Sequence, residues 1–220
     1  LEKIGMIKNY SKVILDYAHT PGALKTCLLN LREQFPEKKI LLLFGCGGNR
    51  DQDKRSKMGK IADIYADEIF LTDDNPRYEN PAQIRKEIKK GIKRKKIYEI
   101  SDRSKAIKKA IERLNTGEIL LIAGKGHEEI QDIGKKKIHF SDKKMIIKEI
   151  KIKNSNLSNN LKLNILKEVS GIKNFKLDMP MKKARIDSKE IQKNDIFFAI
   201  KGKKNDGNRF VSESFKKKAS

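Results

Sequence analysis

Ile40-Leu41-Leu42-Leu43-Phe44-Gly45-Cys46-Gly47-Gly48-Asn49-Arg50-Asp51 runs from five apolar residues into a glycine-rich bend and then into charge. A short apolar run without polar alternation suits a strand covered on both faces, as in parallel sheets. Working outward, Val13-Ile14-Leu15, Glu68 to Thr72, Lys96 to Ile100 and Ile119 to Ala123 repeat the pattern, rich in Ile and Leu. Between them lie helical periodicities. Ala23, Leu24, Cys27, Leu28 and Leu31 share one face, as do Met58, Ile61, Ala62 and Tyr65. Pro81, favourable at a first helical position, precedes Ile84, Ile88 and Ile92, and Asp102 reads as an N-cap before Ala106, Ile107, Ala110 and Ile111. This alternation predicts an α/β fold: a doubly wound, mostly parallel, Rossmann-like sheet over residues 1–150. Such sheets bind ligands in the crevice beyond the strand C-termini.

From Lys151 to Asn160 the pattern dissolves into Lys, Asn and Ser, which predicts a linker over 151–160. Residues 161–220 then form a second, truncated small α/β unit. Leu161, Leu163, Ile165, Leu166 and Val169 carry its apolar pattern, and Ile196 to Ile200 is its strand candidate. The chain starts at Leu1 and stops inside a Lys-rich helical pattern, so it reads as a piece of a longer polypeptide.

The net charge of +22 raises the question of a nucleic-acid partner. Only 10 of the 51 basic residues are arginine, they are spread along the chain, and aromatics amount to 6% with no Trp. Base and phosphate readers favour Arg forks and stacking rings, so the expectation is no nucleic-acid partner. Cys27 and Cys46 lack metal-ligand spacing and suit a reduced, cytoplasmic protein. No apolar run approaches the roughly 18 residues of a membrane span, so no membrane partner is expected.

Four polar clusters follow predicted strands: Asp16-Tyr17-Ala18-His19-Thr20-Pro21, Gly45 to Asp51, Asp73-Asp74-Asn75-Pro76-Arg77, and Gly124-Lys125-Gly126-His127-Glu128. Taken alone, Asp74-Asn75-Pro76 also reads as a turn, and the glycine runs as bends. Four clusters at one sheet edge, however, converge on one crevice. Arg50 and Arg77 suit carboxylates, Asp74 and Glu128 suit an ammonium, and Asn75 can donate and accept. That mixture fits the zwitterionic end of a small molecule better than a polyanion. The glycine-rich bend lacks the Lys-Ser/Thr ending of a P-loop.

Together DYAHTP (Asp16–Pro21), FGCGGNRD (Phe44–Asp51), DDNPR (Asp73–Arg77) and AGKGHE (Ala123–Glu128) resemble the Mur ligases, specifically the C-terminal domain of the diaminopimelate-adding member. The resemblance implies that Arg50, Asp74, Asn75, Pro76, Arg77, Gly124 and Glu128 bind meso-diaminopimelate, and that Asp16 and His19 lie by the nucleotide. It implies ATP and Mg2+ as cofactors, held mainly by a central domain, with no catalytic residue or metal ligand in this stretch. The remaining substrate it implies is UDP-N-acetylmuramoyl-L-alanyl-D-glutamate, in a monomeric enzyme of peptidoglycan biosynthesis. Asn49 and Ser56 stand where the family usually has Asp and often has Pro. Folylpolyglutamate synthase is the enzyme alternative, sharing a DYAHNP-like motif but expected to lack DNPR and GKGHE. Ala184 to Phe210 resembles the start of a second Mur ligase, of the D-alanyl-D-alanine-adding type, with Ser188 toward the UDP end of its substrate.

Overall fold

The computed structural model describes residues 1–159, 161–162, 180–181, 184–193, 195–199 and 206–216. The chain divides into two compact units, Leu1–Lys153 and Asn154–Ser220.

In the first unit the strands are β1 (Glu2–Met6), β2 (Lys12–Asp16), β3 (Ile40–Phe44), β4 (Glu68–Leu71), β5 (Lys96–Glu99) and β6 (Ile119–Ala123). They form one sheet in the order β1-β2-β6-β3-β4-β5. β1 is antiparallel to β2, and all other neighbours are parallel. The two central strands, β3 and β6, are buried at every position, as their unbroken apolar runs require. The helices are α1 (Pro21–Gln34), α2 (Asp53–Tyr65), α3 (Pro81–Lys89), α4 (Arg103–Arg113) and α5 (Asp142–Asn159). Caps fix three helix starts. Thr20 Oγ1 accepts from Ala23 N at 3.3 Å, Asn80 Oδ1 from Ala82 N at 2.9 Å, and Asp102 Oδ1 from Lys105 N at 3.0 Å.

Side chains alternate across a strand, so each strand feeds two cores. Ile40, Leu42, Phe44, Leu121 and Ala123 meet Leu24, Leu28, Met58, Ala62, Ile84 and Ile88 of α1, α2 and α3. The opposite face, with buried Leu41, Leu43, Leu120 and Ile122, is covered by α4. β6 is made last but lies between β2 and β3, so the loops after β2, β3, β4 and β6 all open at one edge.

Three features depart from the sequence expectation. β1 is a half-polar edge strand whose residues are exposed or half-buried, so it carries no apolar signal. A hairpin of β7 (Ile130–Asp132) and β8 (Lys137–His139) follows β6, its strands three residues each. The expected linker is helical as far as Asn159. Ile146 and Ile150 bury one face of α5, and Lys153 Nζ donates to the carbonyls of Ile111, Glu112 and Leu114 at 2.7, 3.1 and 2.5 Å. Those bonds tie α5 to the carbonyls at the end of α4.

In the second unit, β9 (Leu161–Lys162) pairs antiparallel with β10 (Pro180–Met181), and β11 (Ala184–Arg185) pairs parallel with β12 (Ile196–Phe197). The strand expected over 196–200 thus begins at Ile196, while Ile200 and the apolar positions Leu163, Ile165, Leu166 and Val169 lie outside the described residues. Asp187 caps a 3-10 turn, Ser188–Glu190, accepting from Lys189 N at 2.8 Å. Arg185 bonds Asp195 and Glu190 at 3.1 and 2.7 Å. A short helix, α6, spans Val211–Lys216.

Candidate functional site

The loops after β2, β3, β4 and β6 enclose an open cleft of about 450 Å³, lined among others by His19, Arg50, Asp74, Asn75, Arg77, Gly124 and Glu128. Six of the seven residues expected to bind one ligand therefore share one cavity with the histidine expected beside the nucleotide.

Close backbone approach builds the cleft floor. A Cβ on Gly48 would lie 1.9 Å from the Pro76 carbonyl oxygen, so only glycine lets the loop after β3 cross the loop after β4. Gly48 N donates to the Asn75 carbonyl at 2.9 Å, and Tyr78 N donates to Asn49 Oδ1 at 3.0 Å. Gly124 has a φ of +112°, and a Cβ there would press on Asp74 Oδ2 at 2.7 Å. Beneath the loops, fully buried Arg55 of α2 donates to Glu79, Glu87 and the Gly47 carbonyl. It holds both carboxylates below their ordinary range.

The polar groups divide into those already satisfied and those that face the cavity. Asn75 Oδ1 accepts from Lys125 Nζ and Asp132 N, each at 3.0 Å, while its Nδ2 donates to Glu128 Oε2 at 2.9 Å. Lys125 Nζ also donates to Glu128 Oε2 at 3.0 Å and to the Ile130 carbonyl at 2.7 Å. Burial pushes the Glu128 carboxyl up, but the Lys125 ammonium and the Asn75 amide outweigh it and hold Glu128 below its ordinary value. Arg77, with a φ of +52°, donates from Nη1 to the Gly48 carbonyl at 2.7 Å, and its backbone N–H bonds the Asp132 carbonyl at 3.0 Å. Asp74 is 7% exposed and lines the cleft. Arg50 is exposed and donates to its neighbour's carbonyl at 3.3 Å.

Two expected residues fall elsewhere. Pro76 lines a separate cavity with Ser101 and Gln131; its ring follows the turn while its carbonyl meets Gly48. Asp16 does not line the cleft, because its carboxylate turns back to accept from Ala18 N at 2.8 Å. His19 does line it, its Nδ1 3.0 Å from the Tyr17 carbonyl and its ring edge-on to Tyr17. Ser188 is buried in the second unit.

The sequence reading passed over several contributors. Lys125 is fully buried, yet nothing distinguishes it within so Lys-rich a chain. Lys54 lines the cleft and donates to the His19 carbonyl at 2.9 Å. Tyr17 reaches Glu128 Oε1 at 3.4 Å, and Gln131 of β7 donates to the Asp74 carbonyl at 2.7 Å. A polar residue inside a three-residue strand carries no periodic signal.

The family model described as Mur ligase, glutamate ligase domain, matches residues 1–126. The protein named UDP-N-acetylmuramoyl-L-alanyl-D-glutamate--2,6-diaminopimelate ligase in Rickettsia rickettsii is 49% identical over 143 residues, 64% of this chain and 30% of that protein. Its namesake in Chlorobaculum tepidum is 49% identical over 134 residues, 60% of this chain and 26% of that one. A solved structure bearing the same name superposes with a TM-score of 0.59 at 38% identity, over 66% of this chain and 29% of that one. The chain thus spans less than a third of the length of these relatives. No described helix is long and apolar enough to cross a membrane. With a mostly parallel sheet, four loops opening at one edge and a family match over more than half its length, the chain belongs to the Mur ligases, through their glutamate ligase domain.

Proposed function

We propose that the cleft takes the far amino-acid end of meso-diaminopimelate, within a ligase that joins this amino acid to UDP-N-acetylmuramoyl-L-alanyl-D-glutamate at the expense of ATP. The observation that carries this reading is the mixed lining of one cleft: the nearly buried Asp74 carboxylate and Glu128 beside Arg50 and Arg77. The Asp74 carboxylate suits a ligand ammonium, which would give it a charge-assisted hydrogen bond. Arg50 and Arg77 line the same cavity and suit the ligand carboxylate. Lysine has the ammonium but not this second carboxylate, so it would leave the arginines unmatched.

ATP would meet this domain through His19 and Lys54, whose imidazole and ammonium suit phosphate oxygens. Among the described residues no three His, Cys, Asp or Glu side chains gather as a metal site, and Mg2+ would be held mainly by a central domain together with the ATP phosphates. The phosphoryl chemistry that ATP supplies would take place on parts of the ligase other than these loops. On the same reading, the unit beginning at Asn154 is the start of a second ligase fused in frame, with Ser188 toward its UDP substrate; the coding sequence on either side of the chain tests this.

The test of the site is NMR titration of the chain with meso-diaminopimelate and with L-lysine. Amide shifts confined to Gly47–Arg50, Asp74–Arg77 and Gly124–Glu128, at least about tenfold tighter for diaminopimelate, are expected. Equal response to both amino acids, or none in these loops, would sink the assignment.

A further inference from the structure

We propose that Lys125 is the positioning residue of the cleft, fixing which atoms of Asn75 and Glu128 a ligand meets. The inference rests on the amino-acid-binding reading above and adds a residue that touches no ligand.

Three elements meet at its ammonium. Lys125 has no exposed side-chain surface, and its three donors are matched by three acceptors: Asn75 Oδ1, Glu128 Oε2 and the Ile130 carbonyl, at 3.0, 3.0 and 2.7 Å. These acceptors belong to the loop after β4, the turn after β6 and the start of β7. An ammonium has three donors and no acceptor, so Lys125 is fully used and presents nothing to a substrate.

The consequence is orientation. Asn75 Oδ1 already accepts from Lys125 and from Asp132 N, so the amide cannot turn over without setting donor against donor. Its Nδ2 is thereby aimed at Glu128 Oε2, which also receives Lys125. Glu128 Oε2 is then occupied twice. Oε1, approached among the described residues only by the Tyr17 hydroxyl at 3.4 Å, is the oxygen left for a ligand ammonium. The other charged groups about Glu128 are Asp74 and Arg77 after β4, Arg103 of α4, its neighbour Glu129, Asp132 of β7 and Lys137 of β8. Among the described residues none of these charged side chains is hydrogen-bonded to Glu128; the lysine that is, is Lys125. A planar guanidinium has the charge but not three donors diverging from one atom.

The experiment is ligand-free NMR of the 220-residue chain, followed by meso-diaminopimelate titration. In the wild type the Lys125 ammonium and the Asn75 side-chain amide should give resolved, slowly exchanging signals, and Glu128 should titrate below an ordinary glutamate. Lys125→Met should raise the Glu128 titration, displace the Asn75 amide signals and weaken diaminopimelate binding by about tenfold or more. In a Glu128→Gln background the same substitution should have little further effect on binding, as expected when one residue acts through another. If Lys125→Met does not fold, Lys125→Arg is measured instead: Glu128 should stay ionised at low pH while the Asn75 amide signals move. Unchanged Asn75 and Glu128 signals in either variant would overturn the proposal. Failure of the wild type to bind diaminopimelate would refute the site reading alone, because the ligand-free spectra still decide the role of Lys125.

Discussion

Arg77 donates from Nη1 to the carbonyl of Gly48 at 2.7 Å, and so spends part of its guanidinium holding the loop after β3 against the loop after β4. The same residue lines the cleft, with its Nε 3.9 Å from Asp132 Oδ2. Arg77→Lys should therefore fail twice over, since one ammonium cannot bridge the carbonyl and also grip a carboxylate in two places. We expect diaminopimelate affinity to fall by about tenfold to a hundredfold in Arg77→Lys and further in Arg77→Ala, with L-lysine binding little changed. Parallel titrations of both amino acids check this, and an equal loss for both would mean that Arg77 is a brace and no carboxylate reader.

Gly48 gives the complementary test of the floor. Its missing Cβ leaves room for the Pro76 carbonyl oxygen, 1.9 Å from where that atom would sit. Gly48→Ala must push the two loops apart, at a cost of about 1–3 kcal/mol, together with loss of binding. Gly22→Ala is the control, because nothing lies within 4 Å of an added Cβ there and the position is helical. It should stabilise the fold by about 0.5 kcal/mol. Chemical denaturation of the two variants should move the midpoint in opposite directions.

These glycines also show how far the sequence was legible. β3 and β6 could be read because a strand buried on both faces needs an unbroken apolar run, and Ile40–Phe44 and Ile119–Ala123 supply one. The cleft could be read because its residues lie in clusters that directly follow strands. β1 and the β7–β8 hairpin could not, since edge and surface strands tolerate polar residues at most positions. Burial of Lys125 and Arg55 was equally hidden: a charge enters the interior only where tertiary structure gathers partners from distant segments, here Asn75 for Lys125 and Glu79 with Glu87 for Arg55. The inward turn of Asp16 is shared between the Ala18 N–H and the Leu1 ammonium, 2.6 Å from its Oδ2, and no spacing rule announces it.

Acid should act on the Arg55 cluster. Glu79 and Glu87 are held below their ordinary value of 4.5, foremost by hydrogen bonds from Arg55. A carboxylate with a depressed folded value contributes stability that is complete above its unfolded value and is lost as the pH falls through the folded one. Thermal midpoints should hold from pH 7 to about 5 and then drop progressively below about 4.5. Asp73 works in the opposite sense, because burial raises it despite Arg85, and it should soften the drop. Arg55→Met should lower stability at neutral pH and flatten the acid slope. An unchanged slope in that variant would mean that other carboxylates govern the acid limb.

Beneath the turn after β6 lies a buried ion pair that ties stability to the site. Arg103 of α4 donates from Nε and Nη2 to Asp142 at 2.8 and 2.6 Å, and both side chains are fully buried. Nη2 also reaches the carbonyl of Ala123 at 3.1 Å, one residue before Gly124, and so fixes where the Gly124–Glu128 turn leaves the sheet. Removing one partner strands the other as an unmatched buried charge. Asp142→Ala should accordingly cost about 3–5 kcal/mol. Replacing both, as Arg103→Met with Asp142→Leu, removes the unmatched charge and should recover most of that stability, but it leaves the Ala123 carbonyl without its donor. Denaturation curves should then find the double variant close to wild type, while its diaminopimelate affinity stays several-fold lower because the turn is no longer held. Full recovery of binding along with stability would show that the ion pair serves the fold and has no part in placing Glu128.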